Sequence, residues 1–292
     1  MLQHDPIVKD ETLNKQLFEK GYMVLPFLNH AEVQQLRDIY FSYHADASVE
    51  GLYVSSHAKP WDELMEISNK IKDIVAPNID THFQNVQKIG GTFIVKAPDE
   101  KNILHPHQDW RIVDEDHFRS FTIWIALQDT TDENGALYVL PGSHEWIRGY
   151  RHITIPSVYG KIYDLTWEYM FPLHLKAGEA VVFDHALVHA SKPNISKELR
   201  IAATNTIMSE GATFRICCNN TGVVEEYECP PGFYIKPESR TAPFDLPKIR
   251  DTEFEMLQLD EEAFLKFVAK EGLQKSYKPG RGLFNTIKNW LT

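Results

Sequence analysis

The segment ILHPHQDWRIV holds His107 and Asp109 two positions apart. In an extended stretch, residues two apart project from the same side, so this imidazole and this carboxylate can reach one ion. Two histidines and one carboxylate on one face of a ferrous ion leave the opposite face open for a chelating co-substrate and O2. The pair by itself is weak evidence, because a chain with 13 histidines is expected to hold about 0.8 His-x-Asp matches by chance. A third donor is expected from a distant strand, the triad closing around its ion from two sides of a barrel.

The run GEAVVFDHALVHASKPNISKELRIA reads as a strand, a turn, and then His189, Ser191 and Arg200 leading into a further strand. His189 supplies the third donor. A keto-acid co-substrate with a second, planar carboxylate needs an anchor, and a guanidinium fork offers it two charge-assisted hydrogen bonds. Arg200 is the candidate; a surface salt bridge is its ordinary alternative. His105 and His185 stand close to the ligand candidates and read as supporting or structural residues. Asp184 has two readings: it orients a ligand histidine through the second ring nitrogen, or it caps the turn.

These residues need a scaffold that brings distant segments together. From about residue 85, short β-rich runs alternate with turn residues: VQKIGGTFIVKA, SFTIWIALQD, GALYVLPGS, FPLHLKAGEAVVF, IAATNTIM and ATFRICC. Six such runs in succession predict a sandwich or barrel. Asn134-Gly135 suits a hairpin with positive φ angles, and Pro141-Gly142 a tight turn. Before this region, apolar residues spaced three and four apart predict helices over 11–20 and 30–43, the second capped by Asn29. A strand from Tyr22 to Phe27 lies between them. A third helix runs from Trp61 to about Val75 and stops at Ala76-Pro77. Beyond Cys229 the chain turns Pro-rich and irregular before one more amphipathic helix around Glu261 to Lys270.

Nothing divides the sequence into separate domains. Residues 1–292 are expected to form one domain, with a helical part over 1–84, a β core over about 85–215 and an irregular, helical cover over 216–292. Its 43% hydrophobic and 12% aromatic content suffices for a large core, and no apolar run is long enough to span a membrane. The net charge of −11 opposes nucleic-acid binding, which needs a basic surface. A polar, acidic start gives no secretory signal, so the cytoplasm is the expected location and the sequons at Asn194 and Asn219 carry little meaning. Cys217, Cys218 and Cys229 lack zinc-site spacing and read as reduced, structural residues.

With these motifs in view, the chain resembles the phytanoyl-CoA dioxygenase family of 2-oxoglutarate oxygenases. The resemblance rests on HQD at 107–109, WIALQDTTDENGALYVLPGSH from Trp124 to His144, and His189-x-Ser191 followed by Arg200. It implies an all-β core with flanking helices, folded as a double-stranded β-helix (jelly roll, cupin-like), with Fe(II) held by His107, Asp109 and His189. It further implies 2-oxoglutarate anchored by Arg200 and Ser191, with Gln108 and Trp124 as secondary contacts, and O2 as the second co-substrate. Trp124 reads equally as a core aromatic. The carboxylate at 109, which related halogenases replace by a small residue, favours hydroxylation of a small-molecule substrate, with succinate and CO2 released. Desaturation, epoxidation or cyclisation is the alternative outcome of the same chemistry, and a non-catalytic jelly-roll binding protein the alternative of a different class. Arg111, Arg119, Arg148 and Arg151 flank the expected mouth and are candidates to bind an acidic substrate group, with plain surface exposure as the other reading. Glu225, Glu226 and Glu228 read as a solvated face, or as a contact for a cationic substrate.

Overall fold

The computed structural model describes residues 6–44, 51–55, 60–230, 232–241 and 244–276. Three helices precede most of the strands. Helix α1 (Glu11–Lys20) starts where the Asp10 side chain accepts from the Leu13 N–H at 2.9 Å, and α2 (His30–Tyr43) starts on a full capping box between Asn29 and Glu32. Helix α3 (Trp61–His82) departs from expectation by running through Pro77 rather than stopping before it. Val75 and Ile79, one turn apart, are both fully buried in the same core, and that burial outweighs the hydrogen bond the proline removes.

The strands form two facing antiparallel sheets. The larger has the order β1 (Tyr22–Pro26), β9 (Glu179–Asp184), β6 (Ser120–Ala126), β11 (Arg200–Ser209), β4 (Phe93–Lys96), β2 (Leu52–Val54), with β3 (Val86–Gly90) also paired to β11. The smaller has the order β5 (Leu104–His107), β10 (His189–Ser191), β7 (Leu137–Val139), β8 (Phe171–Leu173). This is a jelly roll with α1, α2 and α3 on the outer face of the larger sheet, and with the short helix α4 (Tyr163–Trp167) and helix α5 (Glu261–Lys270) on the outer face of the smaller.

Strand β6 shows how the sequence specifies both faces of the large sheet. Phe121, Ile123 and Ile125 join the core shared with α1, α2 and α3, whereas Thr122 and Trp124 face the space between the sheets. Since side chains alternate, a slip of one residue would exchange the two sets. The same alternation in β11 sends Ile201 and Ala203 to the helices and Arg200, Thr204 and Thr206 inward.

Two expectations about connections change. Asn134-Gly135 makes no tight hairpin: it lies on the crossover from β6 in one sheet to β7 in the other, and of the two only Gly135 has positive φ. The cover after residue 215 is also more regular than composition suggested. Strands β12 (Arg215–Asn220), β13 (Val223–Glu228) and β14 (Lys248–Glu253) make a third antiparallel sheet. Strand β14 is almost wholly exposed and has no apolar alternation to reveal it; ion pairs such as Arg250 to Glu226 at 2.6 Å tie it to β13. Helix α5 (Glu261–Lys270) lies where its spacing placed it and buries Phe264 and Val268. Residues 277–292 of the expected cover, and 1–5 of the polar start, lie outside the described residues. Among the described residues no helix is long and apolar enough to cross a membrane.

Candidate active site

Strands β5 and β10 are hydrogen-bonded neighbours, and their register sets His189 directly opposite His107. The two rings lie 4.2 Å apart between centroids. Asp109 follows β5 and puts Oδ1 3.6 Å from His189 Nε2. One donor atom from each of the three residues falls within 4.8 Å of the others. The donors therefore come from one side, the small sheet, and not from two sides of a barrel as the spacing suggested; what faces them from the large sheet is Arg200.

Each histidine is oriented by the backbone carbonyl two residues before it. His107 Nδ1 lies 2.8 Å from the carbonyl of His105, and His189 Nδ1 lies 3.0 Å from the carbonyl of Leu187. A carbonyl only accepts, so both Nδ1 atoms carry the proton and both Nε2 lone pairs are free for an ion. Desolvation, reinforced by the neighbouring His189, pushes His107 down to about 4, which keeps it neutral and able to ligate. Asp184 does not do the orienting. It accepts from the Ala186 N–H at 2.7 Å and from Arg148 at 2.9 Å, so it caps the turn before His189.

Asp109 is gripped at both ends. Thr122 Oγ1 donates to Oδ2 at 2.9 Å, and Arg151 Nε donates to the Asp109 carbonyl at 2.8 Å. Burial alone would raise the carboxyl; His189, His185, His107 and the Thr122 hydroxyl outweigh it and hold the group below the usual carboxylate range.

The triad opens onto a cavity of about 400 Å³ that Arg200, Ser191, Trp124 and Gln108 also line, a size suited to a small molecule. Arg200 is 2% exposed. Its Cζ sits 5.2 Å from the Trp124 ring centroid, Nη1 reaches the Ile94 carbonyl only at 3.4 Å, and Nε has no partner. Burial lowers it to about 10, still charged at neutral pH. A buried, charged guanidinium with most of its donors unused is the anchor a carboxylate ligand requires, so the donor set and the anchor both fit Fe(II) with a dicarboxylic keto acid. Trp124 has both of its proposed characters, packing in the inner core and facing the cavity. Gln108 lines the cavity, yet its Nε2 donates to the carbonyls of Ile147 and Ala186 at 3.0 and 2.6 Å. Its amide thus bridges segments of the chain.

The four arginines are not a receptor for an acidic substrate. Arg151 pairs with Glu115, Arg148 with Asp184 and Glu145, Arg119 lies against the Glu115 carbonyl and Asp184, and Arg111 pairs with Asp114. Alternate charges along a loop read as exposed; burial of Glu115 and Asp184, at 3% each, is what draws the arginines inward. The acidic run is likewise engaged, Glu225 with Lys248 and Glu226 with Arg215 and Arg250. His105 stacks on Tyr163 and His185 is hydrogen-bonded to Ser120 at 3.0 Å. The sequon residue Asn194 is fully buried, donating to the carbonyls of Lys96 and Glu198. The three cysteines are buried and free.

Sequence reasoning missed Thr122, the Glu115–Arg151 pair, Tyr234 on the cavity wall, and Lys96. Lys96 is fully buried directly across from Arg200 in the β4–β11 register. Its Nζ lies 3.0 Å from the Asn102 carbonyl, 3.1 Å from that of Ser191, and against that of Lys192. A lysine within an apolar strand run, FIVKA, was the available signal.

A jelly roll that sets two histidines and a carboxylate across from a buried arginine with no ion-pair partner among the described residues belongs to the class of non-haem iron oxygenases. Within that class the chain belongs to the phytanoyl-CoA dioxygenase (PhyH) family, whose family model matches residues 19–202. It is 34% identical over 132 residues to phytanoyl-CoA dioxygenase 1 of Oryza sativa subsp. japonica, covering 42% of this chain and 45% of that protein. It is 33% identical over 129 residues to phytanoyl-CoA dioxygenase domain-containing protein 1 of Mus musculus, covering 41% and 44%. These matches thus span under half the length of the curated relatives. Among solved structures, the fold is similar to the non-heme alpha ketoglutarate dependent carbocyclase SnoK from nogalamycin biosynthesis, with TM-score 0.55, 19% identity and coverage of 85% of this chain and 98% of that one. It is also similar to the epimerase SnoN in complex with Fe3+, alpha ketoglutarate and nogalamycin RO, with TM-score 0.51, 18% identity and coverage of 82% and 95%.

Proposed function

We propose that this chain is an Fe(II)- and 2-oxoglutarate-dependent dioxygenase that hydroxylates an unactivated C–H bond of a small molecule, releasing succinate and CO2. The observation that carries the reading is Arg200: buried, charged, without an ion-pair partner among the described residues, and lining the same cavity as the triad. A binding protein that used its metal only for structure would have no need of a carboxylate anchor there.

In this reading His107, Asp109 and His189 would hold the ion, which with 2-oxoglutarate as reductant and O2 as oxidant would supply the chemistry for C–H cleavage. The residues of the chain provide the rest. Both imidazoles are aimed by backbone carbonyls, and burial keeps His107 neutral, so no proton competes with the metal there. Arg200 would hold the distal carboxylate, with Ser191 on the same cavity wall, and Trp124 against the guanidinium limits its movement. Leu52, Val54, Ile94, Leu104 and Phe183 make the cavity walls apolar, which excludes water and favours a substrate presenting hydrocarbon to the metal.

The test is succinate formation with Fe(II), 2-oxoglutarate and O2, together with anaerobic binding of 2-oxoglutarate, in the natural protein and in Arg200→Ala. Loss of two charge-assisted bonds is worth about 3 kcal/mol, roughly a hundredfold in co-substrate affinity. Binding unaffected by the substitution, or no succinate with any substrate offered, favours the binding-protein reading. Product mass separates outcomes: hydroxylation adds one oxygen atom, whereas desaturation or ring closure removes two hydrogens.

A further inference from the structure

The two oxygens of Asp109 have different surroundings. Oδ1 faces the imidazoles, 3.6 Å from His189 Nε2, while Oδ2 accepts the Thr122 hydroxyl at 2.9 Å. Thr122 does not approach by chance. It occupies an inward position of β6, flanked by Phe121 and Ile123 whose side chains are fixed in the opposite core, and its strand is paired on both sides, to Phe183 of β9 and Thr206 of β11. The Asp109 main chain is held as well, because Arg151 Nε donates to its carbonyl at 2.8 Å and is itself locked by Glu115.

That asymmetry matters for an ion with six positions. Three protein donors and a keto acid bound through two oxygens leave a single position for O2. A carboxylate is able to bind through one oxygen or through both, and binding through both would fill that last position. We propose that Thr122 is a positioning residue that fixes Asp109 as a one-oxygen ligand, keeping the coordination position beside it open. The hydroxyl proton is directed at Oδ2, so one of the two lone pairs on that oxygen is already engaged, and turning it to the metal would strain or cost a hydrogen bond to a charged group. The inference rests on the triad reading above.

Cobalt(II) serves as the probe, since its visible absorption weakens as coordination number rises. The metal-free protein, Thr122→Val, Thr122→Ser and Thr122→Ala are titrated with Co(II) in the presence of 2-oxoglutarate, and His189→Ala serves as the control for binding at the triad. We expect Thr122→Val to give weaker visible bands than the natural protein and Thr122→Ser to restore them. We further expect nitric oxide, a probe of the open position, to bind the anaerobic Fe(II) and 2-oxoglutarate complex of Thr122→Val about tenfold or more weakly than that of the natural protein. Thr122→Ala carries the same readouts if valine disturbs the strand, which thermal unfolding reports. Unchanged spectra and unchanged nitric oxide affinity in Thr122→Val or Thr122→Ala overturn the proposal alone. Co(II) uptake that His189→Ala does not impair overturns the triad reading and this proposal together.

Discussion

His107 and His189 stand directly opposite each other on adjacent antiparallel strands, their rings 4.2 Å apart between centroids. The register of one short strand pair therefore fixes both imidazole donors, and the same pair carries Asp109 just beyond its end. An ion bound among these three groups would tie β5 to β10 and so stabilise the fold as well as the site.

Metal should accordingly raise stability by mass action. At free Fe(II) a hundred times the dissociation constant, the increase is about 2.7 kcal/mol. Thermal unfolding under anaerobic conditions should show this in the natural protein and lose it in His107→Ala, Asp109→Ala and His189→Ala. A metal-induced rise that persists in all three variants would place the ion elsewhere.

Arg200→Lys keeps the charge and loses the planar fork. We expect the KM for 2-oxoglutarate to rise roughly tenfold with little change in the KM for the organic substrate. Steady-state kinetics with each substrate varied in turn decides this, and an equal rise in both would point to general damage.

Lys96 makes stability depend on pH. Burial, together with the Arg200 charge, lowers its pKa from 10.5 to about 6. Between those values the unfolded chain binds the proton and the folded chain does not, so stability rises with pH, by up to about 1.4 kcal/mol per pH unit. Urea unfolding of the metal-free protein between about pH 7 and 9 should show a steeper gain than in Lys96→Met. Parallel slopes would mean that the three carbonyls keep the ammonium charged throughout.

The Glu115–Arg151 pair holds Asp109 from behind, and Glu115 is almost wholly buried. Glu115→Gln leaves an arginine without its countercharge and should cost about 3 kcal/mol or more. Calorimetry measures the loss. A change below about 1 kcal/mol would mean that water or another carboxylate replaces the partner.

Much of the scaffold was legible in local patterns. Helices α1, α2 and α5 lie where three-and-four spacing and the Asn29 cap put them, and the β-rich runs became strands. Those signals are local: a periodic apolar face or a capping side chain acts within a few residues. Expectations failed where distant contacts decided. Buried Ile79 carried α3 past Pro77, Lys248 and Arg250 held an exposed strand that has no apolar rhythm, and Glu115 and Asp184 drew inward the arginines expected at the mouth.

The sequence by itself determined the chemical kinds available, namely two imidazoles, a carboxylate and a guanidinium, and the short spacings that join 107 to 109 and 189 to 200. Only the tertiary structure decided that β5 and β10 are neighbours, that backbone carbonyls aim both imidazoles, that Thr122 of β6 holds the Asp109 carboxylate, and that Arg151 holds its backbone carbonyl. Strand pairing joins residues far apart along the chain, and its register is settled by which faces can be buried together. No local window of the sequence contains that information.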